Sequence, residues 1–223
     1  MTSLSIWAGK VTRRLRRRLF PNTLDLAGDR EIEWSFVAGH IPDDHTDVLD
    51  FGCGNAPLAL AAALQGHRVT AMDLGPVQWH VDSPAIRFIQ ADLNTYDFGE
   101  QRFDVILNCS TIEHVGLAGR YGSRADTDGD LKGMTGLRKL LRPGGRMVLT
   151  LPVGVDQVCQ PLHRIYGEQR LPRLLAGYQQ DHAEFWVKRA GRNVWVPAPA
   201  SEALAIRGGP AFYGLGLFVL RPA

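Results

Sequence analysis

Aspartates and glycines stand where short apolar runs of this sequence end. In VLDFGCGNAP, Asp50 closes an apolar run, and Gly52 and Gly54 follow directly behind it. Glycine lets the main chain approach a ligand closely because it has no side chain. Asp73 closes the next such run, 19 residues beyond Gly54, and Asp92 follows the third run. A carboxylate at position 73 can accept both hydroxyls of a ribose, so the pattern indicates a nucleoside-containing ligand.

Two ligand classes compete for this turn. A dinucleotide site expects a third glycine three residues after the second one, where this chain has Pro57. The carboxylate of Asp50 suits no pyrophosphate, but it suits a ligand with a cationic amino acid end. S-adenosylmethionine carries such an ammonium group, and Leu93, beside Asp92, can pack against its base. The residues favour this ligand, and an NAD-linked oxidoreductase stays as the alternative.

The elements that position these residues alternate along the chain. Strands are predicted at 47–52, 68–73, 86–90, 103–108 and 146–152, and helices at 57–65, near 76–81, at 111–118 and at 130–142. Such alternation predicts an α/β fold with a doubly wound, mostly parallel sheet. After a helix around 167–177, EFWVKR and NVWVPAP predict a hairpin, and AFYGLGLFVL predicts a last, antiparallel strand. Residues 46–223 would form this domain, and 1–45 a helical extension.

The N-terminal extension concentrates the basic charge. Residues 1–20 carry six basic side chains and no acid, so that 19 basic residues face 23 acidic residues in the remainder. Apolar residues at three- and four-residue intervals predict a basic amphipathic helix over 4–20, which would contact anionic lipid, the domain itself or a second subunit. A mildly acidic main domain disfavours nucleic acid. No membrane span or secretory signal is evident, and three unpaired-looking cysteines indicate a cytoplasmic protein.

As a set, the motifs resemble those of the class I (Rossmann-like) S-adenosylmethionine-dependent methyltransferases. VLDFGCG is similar to the first family motif, VTAMDLG to the second and QADLNTYDF to the third. FDVILNCSTIEHV is similar to the fourth, and LRKLLRPGGRMVLTLP to the fifth. The resemblance extends over about 46–220 and implies a seven-stranded sheet. The chain departs from the family pattern at Ala56, where the family has its third glycine.

The resemblance implies a role for each matching residue. The turn of Gly52, Cys53 and Gly54 would hold the methionyl part of S-adenosylmethionine, and Asp50 would order that turn. The residues implied for the nucleoside and the methionyl end are Asp73 for the ribose, Leu74 and Leu93 beside the adenine, Asp92 for the adenine amino group, and Asn108 near the methionyl end. The product would be S-adenosylhomocysteine.

The acceptor side centres on NCSTIEHVGLAGRYG. His114 is the candidate general base for a hydroxyl acceptor because its unperturbed pKa lies near neutrality, and Glu113 would orient it or bind substrate. Residues expected to overhang the same mouth are Arg120, Tyr121, His163, Arg164 and Tyr166. Alternatively, these arginines anchor loops. DTDGD (126–130) fails as a calcium loop, since its glycine comes too early and Leu137 stands where a glutamate belongs, so no metal is predicted.

The sequence therefore predicts a methyltransferase acting on a small molecule or glycan, most simply at a hydroxyl. Methylation at nitrogen or carbon stays open, as does a catalytically silent module that only binds S-adenosylmethionine. The motif NCST differs from the NPPY or DPPY motifs that are typical of amino-directed DNA methyltransferases. The acceptor and the oligomeric state are not determined by the sequence.

Overall fold

The computed structural model describes residues 29–77, 79, 83–119, 121–122, 124–189 and 194–223. The amphipathic helix predicted over 4–20 and the side chain of Arg120 lie outside this range. Helices occupy α1 (Arg30–Gly39), α2 (Pro57–Leu64), α3 (Gly129–Leu140), α4 (Arg170–Leu174) and α5 (Ala200–Leu204). None of these helices has the length and apolar character needed to cross a membrane.

A single eight-stranded sheet dominates the structure. Its parallel part contains β1 (Asp47–Phe51), β2 (Arg68–Asp73), β3 (Ile86–Gln90), β4 (Phe103–Cys109) and β5 (Leu141–Val153). Its antiparallel part contains β8 (Tyr178–Lys188), β9 (Trp195–Pro197) and β10 (Gly214–Pro222). The spatial order is β3-β2-β1-β4-β5-β10-β8-β9, and a separate hairpin joins β6 (Gln157–Cys159) to β7 (His163–Ile165).

The predicted parallel sheet with an antiparallel end is confirmed. The sheet has eight strands, one more than the seven that the family resemblance implies. The additional strand is the short β9 of the predicted hairpin, which pairs with the edge of β8 through Val187 and Val196. Strand β5 also begins five residues earlier than predicted, since a register shift against β4 absorbs the Pro-Gly-Gly segment.

Three helix predictions need correction. The helix predicted over 111–118 is a single 3₁₀ turn (Ile112–His114), because Gly116 and Gly119 adopt positive φ angles of 79° and 116°. The helix predicted around 167–177 shortens to α4. The described residues near 76–81 are not helical. The β6–β7 hairpin was not predicted, because its three-residue strands are too short for alternation to be visible.

Helices cover both faces of the sheet, so the strands are apolar on both sides. Along β1, Val48 packs in one hydrophobic cluster, and Leu49 and Phe51 pack in the other. Each fully buried side chain of this size stabilises the fold by about 1.5–3 kcal/mol. The sheet is therefore a rigid frame, and its parallel strands all end at the same edge.

Candidate active site

The glycine turn lies at that carboxyl edge, directly after β1. The main-chain N–H groups of Gly52 and Cys53 both donate to the carbonyl of Met72 in β2, at 2.8 and 3.1 Å. Cys53 is buried, and burial raises the pKa of its thiol, so it remains protonated. These bonds fasten the turn to the second strand.

Glycine is required at positions 52 and 54 for different structural reasons. Gly52 has a φ angle of +72°, and a Cβ there would overlap with the side chain of Thr111. Gly54 has a φ angle of +54°, and a Cβ there would meet no atom within 4 Å. Gly52 thus allows close packing inside the protein, whereas Gly54 borders open space where a ligand can approach.

Asp50 is a buried carboxyl behind the turn. Its Oδ2 atom accepts a hydrogen bond from the N–H of Ala59, at 3.0 Å, in the first turn of α2. Burial raises the pKa of Asp50 to about 7, and the negative charge of Asp73 contributes to the increase. A cationic ligand nearby would favour the ionised form of this carboxyl.

The carboxylate of Asp73 bridges two loops. Its Oδ2 atom accepts from the N–H of Gly54 at 2.9 Å, and its Oδ1 atom accepts from the N–H of Gly75 at 3.1 Å. Leu74, between them, is half-buried. The glycine turn and the end of β2 therefore lie side by side, as a ribose-binding role for Asp73 requires, although that role stays a prediction.

Asp92 and Leu93 follow β3 at the same edge. One oxygen of Asp92 accepts from the N–H of Asn94 at 2.9 Å, which makes the residue part of a tight turn. Leu93 is half-buried and packs against the hydrophobic core. Their contacts with a base stay predictions.

The side chain of Asn108 points into the protein. It is fully buried, its amide nitrogen lies 3.7 Å from the sulfur of Met134, and its oxygen accepts from the N–H of Ile112 at 3.3 Å. These contacts fix the start of the 3₁₀ turn. The side chain of Asn108 thus makes its contacts inside the protein. That Asn108 lies near the methionyl end stays a prediction.

His114 ends this 3₁₀ turn, and the structure distinguishes its two ring nitrogens. The Nδ1 atom hydrogen-bonds to the main-chain oxygen of Leu162, and because a carbonyl only accepts, Nδ1 carries the proton. Nε2 is then the basic nitrogen of the neutral ring, and it lies 3.6 Å from Oε1 of Glu113. Tyr121 stacks edge-on against the same ring, with centroids 4.9 Å apart. These contacts hold the ring in one orientation, with Nε2 on the side of Glu113.

Glu113 is a buried acid beside this base. Burial raises its pKa to about 8, with a smaller contribution from the charge of Glu33, so the carboxyl is mostly protonated at neutral pH. Its Oε2 atom has no hydrogen-bond partner among the described residues. A protonated Glu113 cannot accept a proton from an acceptor hydroxyl, which leaves His114 as the basic group of the pair.

Sequence reasoning missed a third acid, Glu33, on α1. It is fully buried, Ser110 and Thr150 donate to its Oε1 atom, the latter at 2.7 Å, and Arg30 pairs with its Oε2 atom at 2.8 Å. Burial raises the pKa of this carboxyl as well. Ser110 itself has a φ angle of 47°, unusual for a residue with a side chain. An available signal was the position of Glu33 four residues before Val37, on the buried face of the helix.

Asp29 and Tyr213 complete the connection of α1 to the sheet. The hydroxyl of Tyr213, just before β10, donates to Asp29 at 2.7 Å. The ring of Tyr213 lies 5.3 Å from that of His163, which is itself 6.4 Å from His114. His163 thus lies near His114, but its side chain is buried, and its contact with substrate stays a prediction.

Arg164 and Tyr166 lie elsewhere than expected. Their side chains have relative exposures of only 1% and 0%, so they do not overhang the acceptor mouth. Arg164 donates to the carbonyl of Val115 at 2.6 Å, and Tyr166 donates to Asp130 at 2.9 Å. Both side chains point into the protein, Arg164 from β7 and Tyr166 from just after it. Arg164 follows the alternative in which an arginine anchors a loop.

Asp130 lies at the centre of a network of ion pairs. It is fully buried, and Arg170 donates to it through Nε at 2.9 Å. Asp126, at the start of the same segment, pairs with Lys132 at 2.6 Å. Within the described ranges, no cluster of three or more His, Cys, Asp or Glu side chains could hold a metal ion.

Comparison with solved structures identifies this architecture. A 1,6-didemethyltoxoflavin-N1-methyltransferase from Burkholderia thailandensis, solved with 1,6-didemethyltoxoflavin and S-adenosylhomocysteine, superposes with a TM-score of 0.61 at 20% identity, over 100% of this chain and 92% of that one. The chain has the class I S-adenosylmethionine-dependent methyltransferase fold. The N-methyltransferase NodS from Bradyrhizobium japonicum, in complex with S-adenosylhomocysteine, superposes with a TM-score of 0.57 at 13% identity, over 87% of each chain.

Sequence comparisons cover shorter parts of the chain. A ubiquinone biosynthesis O-methyltransferase from Cereibacter sphaeroides is 30% identical over 119 residues, which is 50% of this chain and 43% of that protein. The chain thus aligns with less than half the length of these curated relatives. A family described as "Caenorhabditis protein of unknown function, DUF268" matches residues 85–188.

Proposed function

We propose that this protein transfers the methyl group of S-adenosylmethionine to a hydroxyl of a small molecule or glycan. The observation that carries the proposal is the orientation of His114. Its Nδ1–H group is held by the carbonyl of Leu162, which makes Nε2 the basic nitrogen of the neutral ring. This imidazole follows β4, at the same edge of the sheet as the glycine turn that follows β1.

The residues of the turn suit S-adenosylmethionine. Gly54 borders open space, and Asp73 lies beside it with its carboxylate at the edge of the sheet. Asp50 is a buried carboxyl with no basic partner among its described contacts, which suits a ligand with a cationic end. When bound, this ligand supplies a sulfonium-activated methyl group.

The chain's own residues would provide alignment and a base. The rigid strand ends hold the acceptor and donor sites in fixed relation, and such positioning accounts for much of the rate of group-transfer enzymes. The Nε2 atom of His114 would take the proton of the acceptor hydroxyl as its oxygen is methylated, a contribution of about 10²–10⁴-fold for a general base.

Oxygen as the acceptor atom is favoured by the sequence relative. The Cereibacter sphaeroides protein is named an O-methyltransferase and is 30% identical over the aligned residues. The N-methyltransferases among the structural neighbours are at most 20% identical, so they speak to the fold and not to the acceptor.

The cellular context belongs to the proposal too. The three cysteines are free, as expected in a reducing compartment such as the cytoplasm. The basic segment 4–20 would contact anionic lipid or a second subunit, and nucleic acid is not an expected partner. Binding of the protein to vesicles with and without anionic lipid, compared with its mass in solution, separates the first two partners.

Calorimetry followed by an acceptor screen tests the function. We expect S-adenosylhomocysteine to bind and NADH not to bind. Production of S-adenosylhomocysteine from S-adenosylmethionine, measured with phenolic, sugar and amine acceptors, then identifies the acceptor class. Binding of NADH alone would refute the proposal. Cofactor binding with no turnover on any acceptor, and no acceptor cavity beside the bound cofactor, would indicate the silent module.

A further inference from the structure

Residues on β7 hold the segment that carries His114, although about 50 positions separate the two in sequence. The His114 side chain hydrogen-bonds to the carbonyl of Leu162. Two residues further on, the Nη1 atom of Arg164 donates to the carbonyl of Val115 at 2.6 Å and to that of Glu113 at 3.4 Å. Strand β7 and the residue just before it therefore contact the imidazole and the main chain on both sides of it.

The other nitrogens of Arg164 extend this hold. Its Nη2 atom donates to the carbonyls of Asp126 and Thr127, at 3.2 and 3.4 Å. The loop from residue 113 to 127 is thereby fastened at both ends to one guanidinium. A planar group with five donors suits this task, whereas an ammonium group does not.

The charge of Arg164 is balanced in the interior. Its Nε atom lies 3.7 Å from Oδ2 of Asp130, which also accepts from Tyr166 and Arg170. Because Arg164 has a relative exposure of only 1%, it does not exchange these carbonyls for water. The guanidinium is thus itself held in place by buried contacts, which allows it to hold the loop.

We infer that Arg164 is a positioning residue for His114, which holds the imidazole in the tautomer whose basic nitrogen is Nε2. This inference rests on the proposed function, in which His114 is the base. Arg164 does not touch the acceptor or the cofactor turn. It acts through the carbonyls of Glu113 and Val115 and through the alignment of Leu162.

The first test reads the tautomer of His114 directly. Nitrogen-15 NMR of the ligand-free protein, with the His114 signals assigned by their loss in His114→Ala, should show the proton on Nδ1 in the wild type. In Arg164→Lys we expect both tautomers, because an ammonium group has three donors and cannot replace the guanidinium at all four carbonyls. Arg170→Lys is the matched control: Arg170 binds Asp130 and the carbonyl of Thr127, at 2.6 Å, but no carbonyl beside His114.

The second test reads turnover with the acceptor that the screen identifies. A misplaced catalytic group costs up to about 10²-fold, so we expect kcat of Arg164→Lys to fall roughly tenfold or more, with the affinity for S-adenosylhomocysteine unchanged. Arg170→Lys should keep wild-type kcat. Normal kcat and a single tautomer in Arg164→Lys, with His114→Ala inactive, would overturn the inference alone. If His114→Ala is fully active, the proposed base itself fails.

Loss of a buried arginine can also prevent folding. Arg164→Gln, which keeps an amide donor without a charge, provides a second variant with the same expected tautomer mixture. If neither variant folds, the wild type decides: a proton on Nε2 of His114 would overturn the inference, and a proton on Nδ1 would support it.

Discussion

The side chain of Thr111 occupies the space that a Cβ atom at Gly52 would need. The segment after β4 is thereby packed against the turn after β1, and the Thr111 hydroxyl lies 3.4 Å from the carbonyl of Gly52. The proposed cofactor and acceptor sides of the site thus share a contact inside the protein.

From this contact we predict that Gly52→Ala destabilises the protein. A left-handed conformation costs a residue with a side chain about 1–2 kcal/mol, and displacement of Thr111 adds to that cost. Thermal denaturation measures it. The second variant Gly52→Ala/Thr111→Gly should recover part of the stability, and no recovery would show that the overlap is not the cause.

Gly54→Ala should behave differently. The φ angle of +54° again imposes strain, but a Cβ there meets open space. We expect a smaller fall in melting temperature than in Gly52→Ala and a larger loss of affinity for S-adenosylhomocysteine, measured by calorimetry. Equal affinity in Gly54→Ala and the wild type would place the cofactor elsewhere.

Asp73→Ala should weaken cofactor binding at least about tenfold, the effect of losing a charged hydrogen-bond partner. The same change frees the N–H groups of Gly54 and Gly75, so the turn loosens too. Asp97→Ala is the matched control, because Asp97 likewise accepts from a glycine two positions on, at 2.8 Å, but lies outside the site. Unchanged affinity in Asp73→Ala would contradict the ribose assignment.

His114→Ala should cut turnover by about 10²-fold or more, the usual effect of removing a general base. Its affinity for S-adenosylhomocysteine should stay as in the wild type, since His114 lies on the acceptor side. His182→Ala serves as the control, because His182 pairs with Glu184 on β8 at 2.9 Å. Full activity of His114→Ala would remove this residue from the mechanism.

The free energy of unfolding should fall as the pH rises from about 5 to about 8.5. Glu113 has a pKa of about 8 in the folded protein against 4.5 in a model compound. Between these two pKa values the folded state binds a proton that the unfolded state has lost. The stabilisation from this proton is therefore fully present below the lower pKa and disappears as the pH rises through the upper pKa. Each unit of difference is worth about 1.4 kcal/mol.

Glu113→Gln should therefore flatten this pH dependence, measured by urea denaturation at several pH values. Asp50, with a pKa of about 7, retains part of the slope. In the control Glu184→Gln the free energy of unfolding should still fall as the pH rises. The hydrogen bond from His182 lowers the pKa of Glu184, so the contribution of Glu184 to the pH dependence has the opposite sign to that of Glu113. An unchanged slope in Glu113→Gln would show that its pKa is not raised.

The sequence predicted the parts of the fold that depend on local patterns. The strand ends at Asp50 and Asp73 were readable because an apolar run stops there and a glycine turn follows the first. The tautomer of His114 was not readable, because it depends on a carbonyl 48 residues away. Glu33 was missed for the same reason: its partners Ser110 and Thr150 lie 77 and 117 positions further along the chain.

Arg164 shows the limit of residue types as evidence. An arginine in a loop after a strand suits both substrate binding and loop anchoring, and the sequence could not choose between them. The choice depends on the direction of its side chain, which follows from the β6–β7 hairpin. Strands of three residues leave too little alternation to predict such a hairpin.

The contacts of Leu162 and Arg164 with the segment around His114 also bear on how the chain folds. The cofactor turn is built from nearby residues: Ala59 bonds to Asp50 nine positions away, and Gly54 to Asp73 nineteen positions away. The base is held by contacts spanning 48 to 51 positions. Because loop closure over longer separations costs more entropy, we expect a folding chain to form its donor site first. The imidazole would gain its final orientation only when β7 docks.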